Sequence, residues 1–287
     1  MSEIVYLNGS LIPRDKAMIS VMDYGFLYGY GLFETMRAYG GQVFRLDSHL
    51  RRLARSAEVL GLHIETLNLK DAVMDTLQAN QLGDARIRIT VSIGEGSMVL
   101  DPDSCGSPTL LVLAAHYQPY SEEVYQKGFR AVVSSIRRNS QSPIPRLKSA
   151  NFLESALAKR EARNAGVNDT LFLNERGLLA EASTSNICLV TNGELKTPGL
   201  ESGILPGITR EVILELASKL GIVTYEQDTW PGELYQAEEA FLTNSMVEIM
   251  PLIEVDRKAI GSGSLGPVTR RLMEEYGKLV SASRTSE

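Results

Sequence analysis

The stretch "ARIRITVSI" (residues 85–93) alternates strictly between polar and apolar positions. Arg86, Arg88, Thr90 and Ser92 fall on one side, and Ile87, Ile89, Val91 and Ile93 on the other. That period of two marks a strand buried on one face. "DSHLRRLARSAEVLGL" instead repeats its apolar residues at helical spacing. Asp47 or Ser48 is the expected cap of that helix and Gly61 its end. Residues 68–81 predict a second helix. Residues 4–12 read as a hairpin about Asn8-Gly9, a dipeptide suited to tight turns. "GFLYGYGLFETMRAYGGQVF" predicts a loop entering a strand near Leu32 and a hairpin at Gly40-Gly41, and "TLLVLAA" a more buried strand.

The polar, turn-rich "HYQPYSEEVYQKG" (residues 116–128) reads as a connection. Beyond it, "FRAVVSSI", "DTLFLN", "SNICLV" and "EEAFLTNS" predict strands, with a hairpin at Asn192-Gly193. Helices are expected up to Gly166, from Thr209 to Gly221, and from about Pro267 onward. Hairpins mixed with helices predict an α+β fold rather than a doubly wound sheet. The expected domains are residues 1–116 and 129–287, joined by 117–128.

The chain has 287 residues, 44% hydrophobic and 22% charged, enough for a sizeable core without metals or disulfides. Its net charge of −6 argues against nucleic acid as a partner. The two cysteines, Cys105 and Cys188, sit in unlike contexts and fit a reducing compartment. With no signal-peptide pattern and no membrane-length apolar run, the expected setting is the cytoplasm.

Several chemistries find no support. "GSGSLG" (residues 261–266) matches a dinucleotide-binding pattern by letter, but only one helix follows, so it reads as a turn before that helix. His49, His63 and His116 are too scattered to hold a metal. There is no nucleophile elbow or phosphate-binding lysine loop. Arg137-Arg138 reads equally well as solvated surface.

"PIPRLKSANFLESALAKREARN" (residues 143–164) places Lys148 at the expected mouth of a helix, two residues after Arg146. Both neighbours would favour a neutral, nucleophilic amine. Glu181 lies in the otherwise small and apolar "GLLAEASTSN", where a carboxylate needs a cation. "ILPGITREV" puts Pro206-Gly207 before a helix whose first N–H groups, on Ile208 and Thr209, suit an anion. "RRL" (residues 51–53) adds guanidinium groups, and "TNSMVEIMP" adds Thr243, Asn244 and Ser245. An amine, an acid and a phosphate cradle are together what pyridoxal 5'-phosphate requires.

On the motifs "GFLYGYGLFETMRAY", "HLRRL", "RIRITVS", "RLKSAN", "AEASTSN", "PGITR" and "TNSMVEIMP", the sequence resembles the class IV aminotransferases, pyridoxal-phosphate enzymes of fold type IV. The resemblance spans nearly the whole chain. It implies a small N-terminal α/β domain, a larger C-terminal α/β pseudo-barrel domain that binds the cofactor, and a homodimer. It makes Lys148 the Schiff-base lysine and proton shuttle, and Glu181 the partner of the pyridine nitrogen. It assigns the phosphate to Arg52, Ile208, Thr209 and Ser245. It lines the substrate pocket with Tyr28, Phe33, Thr35, Arg37, Arg88, Asn244, Ser245 and Met246, with no metal.

The implied activity is transfer of an amino group from an L-amino acid, branched-chain or otherwise apolar, to 2-oxoglutarate, with (R)-amines as a further donor class. Aminodeoxychorismate lyase chemistry, yielding 4-aminobenzoate and pyruvate, ranks second. D-Amino-acid transamination ranks lower, because "GEGSMVLDPDSC" lacks that group's arginine–histidine pair, and a non-catalytic scaffold lower still. Asn151-Phe152 stands near where branched-chain enzymes carry a tyrosine, which leaves the cofactor hydroxyl without an assigned partner. Arg86 and Arg88 have an alternative reading as members of cross-strand ion pairs.

Overall fold

Alternation along the first half builds one antiparallel sheet with unlike faces. The computed structural model describes residues 3–284 and divides the chain into two units. The first comprises Met1–Gln118, Leu147–Asn151 and Ser283–Glu287; the second comprises Pro119–Arg146 and Phe152–Ala282.

In the first unit the elements are β1 (Ile4–Leu7), β2 (Ser10–Pro13), α1 (Tyr24–Leu27), β3 (Gly31–Tyr39), β4 (Gln42–Val43), α2 (Leu46–Leu60), α3 (Leu69–Ala79), β5 (Ala85–Ser92) and β6 (Thr109–His116). The six strands are ordered β2-β1-β6-β5-β3-β4. Leu32, Met36 and Ala38 of β3 join Ile87, Ile89 and Val91 of β5 and Val112 of β6 in the core. Leu53 and Ala57 of α2 and Val73 and Leu77 of α3 complete it. Each buried Leu or Ile contributes about 1.5–3 kcal/mol. The other face of β3 and β5 carries Phe33, Thr35 and Arg37 in register with Thr90, Arg88 and Arg86. The polar side of the alternation is thus a second, chemically distinct surface.

Helix α2 starts differently from the sequence reading. Its N-cap is Arg45 in the left-handed region (φ 54), with no side-chain cap. Asp47 lies within the first turn, where its charge suits the helix dipole. Ser48 Oγ accepts from Arg51 Nη2 at 2.8 Å. Gly61 ends the helix at φ 65, as expected.

The second unit holds α4 (Glu122–Lys127), β7 (Phe129–Arg138), α5 (Leu153–Ala165), β8 (Asp169–Asn174), β9 (Leu179–Ala182), β10 (Asn186–Thr191), β11 (Glu194–Thr197), α6 (Ile208–Lys219), β12 (Thr224–Glu226), α7 (Pro231–Gln236), β13 (Glu239–Asn244), β14 (Glu248–Val255), β15 (Lys258–Ala259) and α8 (Pro267–Ser283). Its nine-stranded sheet runs β12-β11-β10-β13-β14-β7-β8-β9, with β15 on β14. The pairs β7–β8, β7–β14 and β11–β12 are parallel and the others antiparallel. β9 also packs against β10, so the sheet curls back on itself. This is an α+β fold.

Residues 117–128 are more than a connection, since α4 forms there and Tyr125 donates to the Val247 carbonyl at 3.2 Å. The "GSGSLG" turn precedes α8, whose first N–H groups are met by the chain itself. Glu239 accepts from Val268 N at 2.9 Å and Thr269 N at 2.8 Å. Among the described residues no helix is long and apolar enough to cross a membrane.

Candidate active site

Lys148 is set by backbone pairing along β3. Phe33 N donates to Lys148 O and Ala150 N donates to Gly31 O, each at 2.8 Å, and Ser149 bridges Leu32. Leu147 packs on the first unit's core. A five-residue return of the chain, Leu147–Asn151, therefore belongs to the first unit and satisfies part of the β3 edge. Lys148 is half-buried, with Nζ 4.8 Å from the centroid of the Phe33 ring.

Two parts of the sequence argument for Lys148 fail here. Helix α5 begins only at Leu153, so the lysine is not at a helix mouth. Arg146 donates instead to Glu201 at 2.9 Å and to the Ser140 carbonyl at 3.2 Å.

The core side of the same strand carries a buried charge cluster. Arg52 grips Glu34 as a fork, Nε to Oε1 at 2.8 Å and Nη2 to Oε2 at 2.6 Å. His49 Nδ1 lies 2.7 Å from Glu34 Oε2. Burial alone would raise the Glu34 pKa, but the Arg52 charge and the bonds from His49 and Arg52 outweigh it and hold the group at about 2. Burial also keeps the His49 pKa below its usual value, against the pull of Glu34. The ionised Glu34 carboxylate can only accept, so His49 Nδ1 donates in this bond. The partner of His49 lies 15 residues away in sequence, on β3. Glu34 escaped the sequence reading; a lone acid on the apolar side of β3, opposite an arginine-bearing helix, was the available signal.

The opposite face of β3 gathers Phe33, Thr35 and Arg37 with Arg88. The Arg88 guanidinium lies 3.8 Å from the Phe33 ring centroid and its Nε donates to Thr90 Oγ1 at 3.2 Å. Arg37 stacks near Tyr39 and Tyr117, at 4.4 and 4.9 Å. Across β3 from Arg86 stands Arg37, not a carboxylate, so the ion-pair reading of the β5 arginines fails. Tyr28, at the end of α1, donates from its hydroxyl to Met98 O at 3.0 Å. Arg52 thus lies on the other side of β3 from Phe33, Thr35, Arg37 and Arg88, and Lys148 lies along the strand's edge.

In the second unit Glu181 is buried at the centre of a hydrogen-bond set. Oε1 accepts from Arg138 Nη2 at 3.2 Å. Oε2 accepts from Asn186 Nδ2 at 3.3 Å and Leu205 N at 3.1 Å. Arg138 also bonds Glu154 at 3.0 Å and stacks on Phe172 at 4.2 Å. It is the cation Glu181 needs, not surface.

Asn186 links Glu181 to the start of α6. Its Nδ2 also donates to Leu205 O at 2.9 Å, and a Cβ on Gly207 would stand 1.9 Å from its Oδ1. Gly207 caps α6 with no side-chain bond to the first turn, where Ile208 and Thr209 are buried. A glycine forced by close approach, before N–H groups without a side-chain cap, fits a phosphate. The turn after β13 adjoins the same region. Asn244 Nδ2 donates to Ser185 Oγ at 2.8 Å and Thr184 O at 3.2 Å. Its Oδ1 accepts from Met246 N and Val247 N at 2.8 and 2.9 Å. Asn244 therefore shapes the turn that carries Ser245 and Met246.

The family model for class IV amino-transferases matches residues 31–255. The chain belongs to the class IV aminotransferases. It is a pyridoxal-phosphate-dependent aminotransferase. It is 40% identical to a putative branched-chain-amino-acid aminotransferase of Methanocaldococcus jannaschii, over 95% of this chain and 94% of that one. It is 35% identical to aminodeoxychorismate lyase of Bacillus subtilis, over 96% and 94%. A solved branched-chain amino acid aminotransferase of T.th. with pyridoxamine 5'-phosphate matches with a TM-score of 0.94 and 31% identity, covering 99% of this chain and 96% of that one.

Proposed function

We propose that the protein moves an amino group from an L-amino acid, branched-chain or otherwise apolar, to 2-oxoglutarate. The observation that carries this reading is the Phe33 ring, which lies beside both the Lys148 amine and the Arg88 guanidinium. An apolar surface there suits an aliphatic side chain, and a guanidinium suits a carboxylate. The 40% identity to the archaeal branched-chain relative supports the same donor class.

Bound pyridoxal phosphate supplies a carbonyl that joins amines and a ring that accepts electrons. Lys148 holds that carbonyl and moves the proton of the substrate α-carbon. Glu181, oriented by Arg138, Asn186 and the Leu205 N–H, addresses the ring nitrogen. Arg52, Ser245, the Thr209 hydroxyl and the Ile208 and Thr209 N–H groups hold the phosphate. Tyr28, Phe33, Thr35, Arg37, Arg88, Asn244 and Met246 shape the substrate site, Asn244 through the turn. The protein acts as a cytoplasmic homodimer.

The test is formation of glutamate from L-leucine or L-valine and 2-oxoglutarate. Borohydride should fix the cofactor on Lys148, and Lys148→Ala should lose both the label and turnover. A second reading, aminodeoxychorismate lyase, is favoured by the 35% identity to the Bacillus subtilis enzyme. It replaces the first if no L-amino acid yields glutamate while aminodeoxychorismate yields 4-aminobenzoate.

A further inference from the structure

Glu34 stands on the core side of β3 between Leu32 and Met36, and all three are fully buried. An ionised carboxylate in such a place is costly, and a well-packed apolar residue is often as stable or more so. Stability alone therefore does not account for an acid there. Its two partners, His49 and Arg52, are three residues apart on α2, a spacing that sets both on one side of the helix. Arg52 gives Glu34 its Nε–H and one Nη2 hydrogen, which takes up one edge of the guanidinium. Nη1 and the second Nη2 hydrogen make the other edge, a pair of coplanar donors of the kind a phosphate accepts. His49 Nδ1 bonds the same Glu34 oxygen that receives Arg52 Nη2. The carboxylate is thus held at both oxygens and cannot turn without breaking a bond at each.

We propose that Glu34 and His49 are positioning residues for the cofactor phosphate, fixing the guanidinium plane of Arg52 before the cofactor arrives. The proposal rests on the reading that Arg52 holds that phosphate. A mobile arginine must be ordered when it binds an anion, and that ordering weakens binding. Here it is completed during folding. The arrangement also works against itself, because the Glu34 charge opposes a phosphate on the far edge of the same guanidinium. Orientation and charge therefore predict opposite signs when Glu34 is neutralised. The His49 contribution separates from charge altogether, since burial keeps that ring neutral at pH 8.

The test titrates the full-length, cofactor-stripped enzyme at pH 8 with pyridoxal 5'-phosphate and with pyridoxal, which lacks the phosphate, followed by visible absorbance. Glu34→Gln should raise Kd for pyridoxal 5'-phosphate by roughly two- to tenfold, the scale of ordering one long side chain, and leave Kd for pyridoxal unchanged. His49→Leu should act in the same direction and less strongly. His49→Asn should lie close to native, because its amide sets an N–H where the ring Nδ1 stands. Unchanged or tighter binding of pyridoxal 5'-phosphate by Glu34→Gln, or equal weakening of both ligands, overturns the proposal. Glu34→Gln combined with Arg52→Gln, which strands no charge, tests the underlying reading. If the double variant binds pyridoxal 5'-phosphate as the native enzyme does, Arg52 does not hold the phosphate and both ideas fall. If it selectively loses pyridoxal 5'-phosphate while Glu34→Gln and His49→Leu do not, the phosphate reading stands and only the positioning role falls.

Discussion

Arg138 Nη2 lies 3.2 Å from Glu181 Oε1, tying the end of β7 to the short strand β9. Both side chains are about nine-tenths buried. Removing one partner of such a pair leaves the other charged and poorly solvated, which costs far more than the pair gains. Arg138→Met should therefore destabilise the fold by about 3 kcal/mol in urea unfolding. Arg138→Met with Glu181→Gln should recover part of that loss, because the stranded charge is gone. Equal destabilisation by the single and double variants would show that packing on Phe172, not charge, is what Arg138 supplies.

The Glu34–Arg52–His49 cluster predicts how stability changes in acid. Glu34 titrates at about 2 in the fold against 4.5 for an unperturbed glutamate, so the folded form binds its proton less readily than the unfolded one. Its contribution is present above pH 4.5 and is lost as pH falls toward 2. The size is on the order of 3 kcal/mol. His49 is also shifted down from 6.5, so its loss starts earlier, as pH falls below that value. Urea midpoints measured between pH 8 and pH 2 should decline across both ranges. Glu34→Gln should start less stable at neutral pH and show a flatter curve below pH 4.5.

The polar–apolar alternation of β5 and the two-sided pattern of α2 were legible because each follows a simple period. The hairpins at Asn8-Gly9 and Asn192-Gly193 were legible for a different reason. Their residues adopt positive φ (47 and 91; 53 and 74), which few others tolerate. The local setting of Lys148 was not legible. Its neighbours in sequence, Arg146 and α5, belong to the second unit, while residues 147–151 pair with β3. Sequence distance misleads where a short segment returns to an earlier sheet. Arg138 and Glu34 were missed similarly, because their partners lie 43 and 18 residues away. Lys148, Glu181 and Gly207 stood out by residue type against their surroundings, which spacing alone would not have done.

Gly207 should tolerate no side chain although its backbone is ordinary (φ −72). An added Cβ would lie 1.9 Å from Asn186 Oδ1, so the asparagine or the start of α6 must move. Asn186 also bonds Glu181 and Leu205, so the disturbance reaches the buried carboxylate. Gly207→Ala should cost about 1–3 kcal/mol and weaken retention of pyridoxal phosphate, followed by visible absorbance through dialysis. Full retention with unchanged stability would mean that the first turn of α6 does not depend on this close approach.

Asn244 offers a test in which two variants separate two halves of one side chain. Its Oδ1 accepts from the N–H groups of Met246 and Val247, and its Nδ2 donates to Thr184 O and Ser185 Oγ. Asn244→Asp keeps the accepting half and sets a carboxylate oxygen against the Thr184 carbonyl. Asn244→Ala loses both halves. Each half-buried hydrogen bond contributes about 0.5–1.5 kcal/mol, so unfolding midpoints should rank native, then aspartate, then alanine if the N–H groups dominate. Because the turn carries Ser245 and Met246, the alanine variant should also raise KM for the amino donor. An aspartate variant less stable than alanine would instead place the weight on the donor bonds to residues 184 and 185.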